Sequence, residues 1–402
     1  MSEMVCPNGF ILAVEGLAKI CIPDPDLYRR ENGSYEPSWA PVFYNPRMVG
    51  NRDICVAFLK KELLESSGEA AILDPLAATG VRGIRIALEA DIQKGSTTIY
   101  MGDISPDAVE VMKHNIKLND VEGNIAVVHA DANELIYQLA RRSGIALGYI
   151  DIDPFGSPAP FIHAALGGVK RYGVVAVTAT DLAVLEGRYR SKLFRRYGVA
   201  GVKAVQSKDI ALRTLLSFVM RVAAIYDRYI EPILSYAVNH YVRIYIRVYR
   251  GGSKASETLH NCLGSIWCCT RCGYYIQQGD SSVDNVGCPV CGGRLERIHP
   301  VWICPIANRE YLEKLIEVAS EMPWLQKSSR ALLESLYRTS AVNELTIRLT
   351  HIARAIKIST PPINTVISCL LQKGFIAVRS YTYSDGIITN APINDVVECM
   401  KV

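Results

Sequence analysis

Between residues 70 and 180 the chain repeats one pattern: a short run of β-branched and apolar residues, then a segment of helical periodicity. The runs lie at 70–74, 97–103, 125–131, 148–153 and 173–180, and helical segments at 81–90, 106–118 and 132–142 separate the first four. Ser105 before Pro106 reads as an N-cap with proline at the first helical position. Strands alternating with helices need a parallel sheet covered on both faces. The expected fold class is therefore α/β, a Rossmann-like domain. Runs at 234–238 and 242–249, around Asn239-His240, predict an antiparallel addition at the sheet edge.

Gly251-Gly252-Ser253 breaks this pattern and predicts a boundary, with one domain over 1–250 and a second over 251–402. The second is expected to be α+β: a cysteine-rich module at about 266–297, helices near 309–320 and 328–339, and a helix at 364–373. A strand or hairpin at 375–383 then makes a winged-helix-like end. The sequence contains neither internal repeats nor low-complexity segments.

Acids punctuate the strands. Asp74-Pro75-Leu76-Ala77-Ala78-Thr79-Gly80 joins the first strand to the first helix, where small residues and Gly80 let the backbone approach a ligand and the helix N-terminus adds donors. The spacing is not the G-x-G-x-x-G of a nicotinamide or flavin site, which disfavours a dehydrogenase. Asp103 ends the second strand, where a carboxylate can accept both ribose hydroxyls. Asp131 ends the third, placed for an adenine amino group, with the Ala132 N–H available to a ring nitrogen. Each Asp alone is commonly a cap or turn residue, but acids ending successive strands predict a nucleoside-bearing donor, S-adenosylmethionine. The carboxylate of that donor calls for an arginine, and spacing leaves Arg47, Arg52, Arg82 and Arg85 as candidates.

Asp151-Ile152-Asp153-Pro154-Phe155-Gly156 ends the fourth strand. The carboxyl end of a central strand faces the ligand crevice in a doubly wound fold. An exocyclic amine of a base is a poor nucleophile, so an enzyme must hold it in line and accept its protons as positive charge develops. Asp153 is the candidate catalytic acceptor, the Pro154 carbonyl can take the second hydrogen, and Phe155 can stack on the base. Strand alternation is read as turning Asp151 to the opposite face, in a structural role.

Twelve cysteines in a chain without a basic, apolar leader argue against a disulfide scaffold. Cys269-Thr270-Arg271-Cys272 and Cys288-Pro289-Val290-Cys291 have zinc-ribbon spacing, and a glycine follows the second cysteine of each pair. Structural Zn²⁺ is expected on Cys269, Cys272, Cys288 and Cys291, with Cys268 able to replace Cys269. Four thiolates leave no open position for catalysis. Only seven glutamines occur, a compositional hint of heat adaptation. No run reaches the ~20 apolar residues of a membrane span; a cytoplasmic protein is expected. Net charge is only +4, but residues 186–250 hold 13 Lys/Arg against 4 Asp/Glu. Arg188, Arg190, Lys192, Arg195 and Arg196 interleave with Tyr189, Phe194 and Tyr197, which suits a phosphate-contacting surface as well as a solvated helix face.

Several stretches together resemble the tRNA guanine-N2 dimethyltransferases that modify position 26. They are Phe43-Tyr44-Asn45-Pro46 with Asn51-Arg52-Asp53, Ala77-Ala78-Thr79-Gly80-Val81-Arg82-Gly83, and Asp153-Pro154-Phe155-Gly156-Ser157. Thr178-Ala179-Thr180-Asp181, His240-Tyr241-Val242-Arg243 and Trp302-Ile303 extend the likeness over most of residues 40–320. The resemblance implies a methyltransferase that places one or two methyl groups on the exocyclic N2 of guanine in tRNA. It implies donor binding through Arg52, Arg82, Asp103, Asp131 and Ala132, catalysis by Asp153, and a guanine held between Phe43 and Phe155. The family's Ile-Lys-Thr-Asp-Ala-Pro run is here Ile387-Ile388-Thr389-Asn390-Ala391-Pro392, without the lysine and the acid. The rival readings are an N-methyltransferase of rRNA or of adenine in DNA, and a non-catalytic zinc-ribbon protein that binds nucleic acid. No protein partner is implied.

Overall fold

The computed structural model describes residues 5–65, 70–92, 97–238, 240–279 and 287–401. The first four residues, the expected turn residue Asn239 and residues 280–286 of the cysteine-rich module lie outside the described residues. An antiparallel hairpin, β1 (Phe10–Glu15) and β2 (Ala18–Pro23), opens the chain, followed by helix α1 (Val49–Glu65). The expected alternation then appears as β3 (Ala71–Asp74), α2 (Val81–Glu89), β4 (Ile99–Asp103), α3 (Pro106–Leu118), β5 (Ile125–His129), α4 (Ala132–Tyr137), β6 (Leu147–Ile152), α5 (Ala159–Gly168) and β7 (Val174–Ala179). Ser105 caps α3 through the Ala108 N–H. The helix expected over 132–142 is α in its first half only; residues 138–142 form a π turn.

Two short helices, α6 (Leu182–Leu185) and α7 (Arg190–Tyr197), lead to the long helix α8 (Ser207–Ile225). Strands β8 (Arg228–Val238) and β9 (Tyr241–Arg250) follow as the expected antiparallel pair, each longer than its apolar run because Arg and Tyr continue the strands. The seven strands stand in the order β5-β4-β3-β6-β7-β9-β8. β3 runs parallel to both β4 and β6, so the acids closing these strands emerge at one end. All four residues of β3 and all six of β7 are buried, as strands covered on both faces must be.

Helix α9 (Gly252–Cys262) begins within the Gly-Gly-Ser break. A three-stranded sheet of order β11-β10-β12 follows, made of β10 (Leu263–Cys269), β11 (Tyr275–Gln278) and β12 (Leu295–Trp302). After α10 (Arg309–Ser320) and α11 (Lys327–Thr339) come β13 (Ile347–Arg348), α12 (Leu349–Ile356), α13 (Ile363–Gln372), β14 (Ala377–Arg379), β15 (Gly386–Thr389) and α14 (Ile393–Cys399). Two helices followed by a β14-β15 hairpin, with β13 added to β15, have the winged-helix pattern. This end shares one apolar core with the ribbon, in which Ile347, Leu349, Ile352 and Val366 bury together with Cys269, Cys272 and Leu295.

Contacts divide the chain into two compact units. One comprises Met1–Asp153, Ala164–Ala176 and Glu313–Leu333; the other comprises Pro154–His163, Val177–Leu312 and Glu334–Val402.

The expectation against disulfides is overturned. Cys6 pairs with Cys21, Cys262 with Cys304, and Cys369 with Cys399. These partners are 15, 42 and 30 residues apart, so no local spacing announces them; the tertiary fold brings their Cα atoms to 5.0–5.7 Å.

Candidate active site

The loop from Asp74 to Gly80 follows β3 as expected. Gly80 sits at φ 77° before α2, and a Cβ there would lie 3.0 Å from Met112 and 3.1 Å from Met101. Glycine is therefore required both for the left-handed turn and for space. Asp103 at the end of β4 holds the loop: one oxygen accepts the Ala78 N–H at 3.0 Å and the other accepts the Ser105 N–H at 2.9 Å. Asp131 is exposed and caps α4, accepting from Asn133 and Glu134 at 2.9 and 3.2 Å, while the following Ala132 is buried. Both acids thus shape the turn in which they stand. Small residues, a left-handed glycine and acids at adjacent strand ends form a cradle suited to a nucleoside.

Arg82, on the first turn of α2, is buried and faces three carboxylates. Its Nε lies 3.6 Å from Asp74, its Nη1 3.5 Å from Asp151, and its Nη2 contacts Asp153 directly. Asn51 from α1 accepts from Nη1 at 3.0 Å. The expectation that Asp151 points away from Asp153 is overturned, because residues two apart on a strand share a face and both reach the same guanidinium. Asp151 also accepts from Tyr149 Oη at 2.7 Å and from the Cys55 thiol at 3.5 Å. The Asp74 carboxyl is pushed up to about 7, chiefly by burial; Arg82 opposes that rise, and Asp151 and Asp153 add to it.

Arg52 and Arg85 belong to a second buried cluster that spacing did not reveal. Glu15, at the end of β1, accepts from Arg52 Nε and Nη2 at 2.6 Å each, from Arg85 Nη1 at 3.0 Å and from Tyr44 Oη at 2.9 Å. Burial alone would raise its carboxyl, yet the Arg52 and Arg85 charges and the hydrogen bonds from Arg52 and Tyr44 bring it down to about 2. Arg85 also pairs with Asp53 and Glu89, both at 2.8 Å. Glu89 accepts from Trp324 Nε1 and Asp53 from Ser329 Oγ, each at 2.8 Å. Of the four arginine candidates, Arg85 is wholly consumed by this framework. The motif Asn51-Arg52-Asp53 thus sends three consecutive side chains to three different polar partners: Arg82, Glu15 and Arg85.

Phe43 is half-buried, Pro154 is buried and Phe155 is 64% exposed. The loop after Phe155 is fixed by the Thr178–Asp181 stretch. Thr180 Oγ1 accepts the Gly156 N–H at 2.8 Å, and Asp181 accepts from Tyr197 Oη at 2.8 Å, itself 2.8 Å from Ser157 Oγ. Arg243 is fully buried and donates to Thr178 at 2.6 Å. These motif residues are scaffold.

The basic segment is less cationic at its surface than its count implies. Arg213, Arg228 and Arg243 are interior, and Arg213 donates to the Trp302 and Cys304 carbonyls. On and before α7, however, Arg188, Tyr189, Arg190, Lys192, Phe194 and Arg195 are all exposed. Arg196, expected with them, is half-buried and paired with Asp181, and Tyr197 is buried.

The four cysteines of the ribbon converge. Their sulfurs lie within 4.8 Å of one another, with Cys269–Cys291 at 3.5 Å and Cys272–Cys288 at 3.4 Å. Tetrahedral Zn–S bonds of about 2.3 Å put thiolates about 3.8 Å apart, so the set fits zinc. Cys268 is not among them and is buried on the adjoining strand position. No helix among the described residues is long and apolar enough to cross a membrane.

A doubly wound sheet with this strand order and acids at its strand ends defines a Rossmann-like methyltransferase fold. The family model described as N2,N2-dimethylguanosine tRNA methyltransferase matches residues 22–401. A tRNA (guanine(26)-N(2))-dimethyltransferase of Metallosphaera sedula is 36% identical over 390 residues, 96% of each chain. One from Aeropyrum pernix is also 36% identical, over 99% of this chain and 98% of that one. The structure of Trm1 from Pyrococcus horikoshii, solved in complex with S-adenosyl-L-methionine, superposes with a TM-score of 0.82 at 32% identity, covering 97% of this chain and 99% of that one. The chain belongs to the N2,N2-dimethylguanosine tRNA methyltransferase family.

Proposed function

We propose that this chain transfers one or two methyl groups from S-adenosylmethionine to the exocyclic N2 of guanine 26 in tRNA. The observation that carries this reading is Asp153, a carboxylate at the carboxyl end of central strand β6, in contact with Arg82 and beside the loop that follows β3. There it can accept the amine hydrogens as positive charge develops on N2. The second hydrogen goes to the Pro154 carbonyl, and the base is assigned to Phe43 and Phe155. Donor binding is assigned to Arg52, Arg82, Asp103, Asp131, Ala132 and Gly80. Asp74 enters this group from its place in the same loop.

Structural Zn²⁺ is assigned to Cys269, Cys272, Cys288 and Cys291, where it would tie the two knuckles together. Residues 1–250 would carry the transfer chemistry. Residues 251–402, with the exposed face of α7, would hold the tRNA body by phosphate contacts and shape, leaving the target base to be flipped out. Such a substrate places the enzyme in the cytoplasm.

The test is methyl transfer from labelled donor to unmodified tRNA carrying guanine or adenine at position 26. Label recovered as N2-methylated guanosine, from the guanine transcript alone, supports the reading. Equal labelling of both transcripts overturns it.

A further inference from the structure

Helix α7 turns two faces to different surroundings. Leu193 and Tyr197, one helical turn apart, share its inner face and are buried. Its outer face and the residues leading into it expose Arg188, Tyr189, Arg190, Lys192, Phe194 and Arg195. Cations interleaved with aromatic rings can take both the phosphates and the unstacked bases of RNA. The helix closes at Gly198, at φ 62°, whose N–H donates to the Phe194 carbonyl at 2.8 Å. Arg221 of α8 donates to the Tyr197 carbonyl, and a Cβ at Gly198 would lie 2.6 Å from its Nη1. The inner end of α7 is thereby pinned.

That inner face carries a link to the loop that holds Phe155. The Tyr197 ring stands edge-on to Phe218 of α8, with centroids 5.5 Å apart and planes at 90°. Its hydroxyl donates to Asp181 at 2.8 Å and lies 2.8 Å from Ser157 Oγ, which can donate to it in turn. Burial, and then the neighbouring Asp181, push the phenol well above its ordinary value, so it remains a donor through neutral pH. Asp181 is held as well by Arg196 Nη1 at 2.6 Å. The N–H groups of Thr180 and Asp181 already fix the Gly156 carbonyl, at 2.9 and 3.3 Å. The Tyr197 hydroxyl is not needed to form that turn; what it adds is a connection from the turn to α7. The connection ends at Ser157, two residues beyond the exposed Phe155 ring.

We infer that Tyr197 is a positioning residue for presentation of the base: it transmits the seating of RNA on the outer face of α7 to the loop that carries Phe155. This rests on the function proposed above, in which Phe155 meets the guanine and α7 meets the tRNA. Phosphates gripped by Arg190 and Lys192 fix the rotation of α7 about its inner anchors, Leu193 and Tyr197. The Tyr197 hydroxyl then fixes Ser157, and with it the direction in which Phe155 is offered to the base. A ring displaced by about 1 Å costs rate more than affinity. Tyr197 itself is buried and takes no part in the transfer.

The test is a double-mutant cycle in methyl transfer to tRNA with guanine at position 26, reading kcat and tRNA KM separately. It compares wild type, Tyr197→Phe, the pair Arg190→Ala with Lys192→Ala, and all three changes together. Tyr197→Phe keeps the ring on Phe218 and removes only the hydroxyl; its kcat falls by about tenfold, with tRNA KM within about threefold of wild type. The α7 pair raises tRNA KM, as lost phosphate contacts must, and also lowers kcat by about fivefold. In the combined variant the KM effect persists, but kcat falls no further than in Tyr197→Phe, because the link is already cut. Losses of kcat that multiply in the combined variant overturn the inference. So does a Tyr197→Phe kcat within about twofold of wild type. Melting curves check folding; if Tyr197→Phe does not fold, Ser157→Ala cuts the same link from the loop side and must give the same pattern. A wild-type chain that moves no methyl to guanine overturns the reading of function and this inference with it; an active wild type with multiplying losses overturns the role of Tyr197 alone.

Discussion

Glu15 gives the sharpest test of how the arginines near the site are held. Its carboxylate is the shared partner of Arg52 and Arg85 in a buried setting, so Glu15→Gln leaves two guanidiniums facing a neutral amide. Two arguments size the effect. Bringing the carboxyl from 4.5 to about 2 corresponds to about 3 kcal/mol of preference for the paired, ionised form. Removing one partner from a buried ion pair costs about 3–5 kcal/mol, which agrees. Arg85 keeps Asp53 and Glu89, so the lower end applies. At about 2–4 °C per kcal/mol for a domain of this size, the melting temperature should fall by about 6–12 °C.

The pH dependence supplies the internal control. A carboxyl held below its ordinary value contributes stability above about 4.5, and that contribution is lost as pH falls toward about 2. Denaturant titrations of wild type and Glu15→Gln should therefore differ by about 3 kcal/mol at neutral pH and converge in acid. A difference below about 1 kcal/mol at neutral pH, or one that does not shrink in acid, would refute the reasoning.

Four further outcomes are expected. Asp153→Ala should abolish methyl transfer while calorimetry finds donor binding largely intact; measurable turnover would remove Asp153 from catalysis. Gently purified protein should carry one zinc per chain by elemental analysis, and Cys272→Ser should lose it, whereas metal-free wild type would dismiss the site. Reduction of the three disulfides should lower the unfolding midpoint, since closing loops of 15, 42 and 30 residues is worth about 3–4 kcal/mol each in the chain-entropy account. An unchanged midpoint under reductant would mean that the bridges do not stabilise the fold. Replacing Arg190, Lys192 and Arg195 by Glu should weaken tRNA binding and flatten its salt dependence, the signature of lost phosphate contacts; an unaltered salt slope would take α7 out of the interface.

What the sequence alone determined is whatever depends on short range. The parallel sheet was legible because buried strands and amphipathic helices leave periodic traces, and the boundaries at α3 and β3 differ from expectation by a residue at most. The convergence of Cys269, Cys272, Cys288 and Cys291 was legible because a C-x-x-C pair nearly builds its half of a four-cysteine cluster by itself. The place of Asp153, directly after β6 and before Pro154, was legible from the apolar run that precedes it. The partnership of Asp151 with Asp153 was also available, from strand alternation properly applied. What only the tertiary structure decided is who meets whom across long separations. Glu15 reaches Arg52 and Arg85 over 37 and 70 residues, and Asp53 reaches Ser329 over 276. The disulfide partners and the interior fate of Arg213 and Arg243 belong to the same class. A buried charge must find a counter-charge or a carbonyl wherever the packed chain supplies one, and that choice is made by the whole fold rather than by any local pattern.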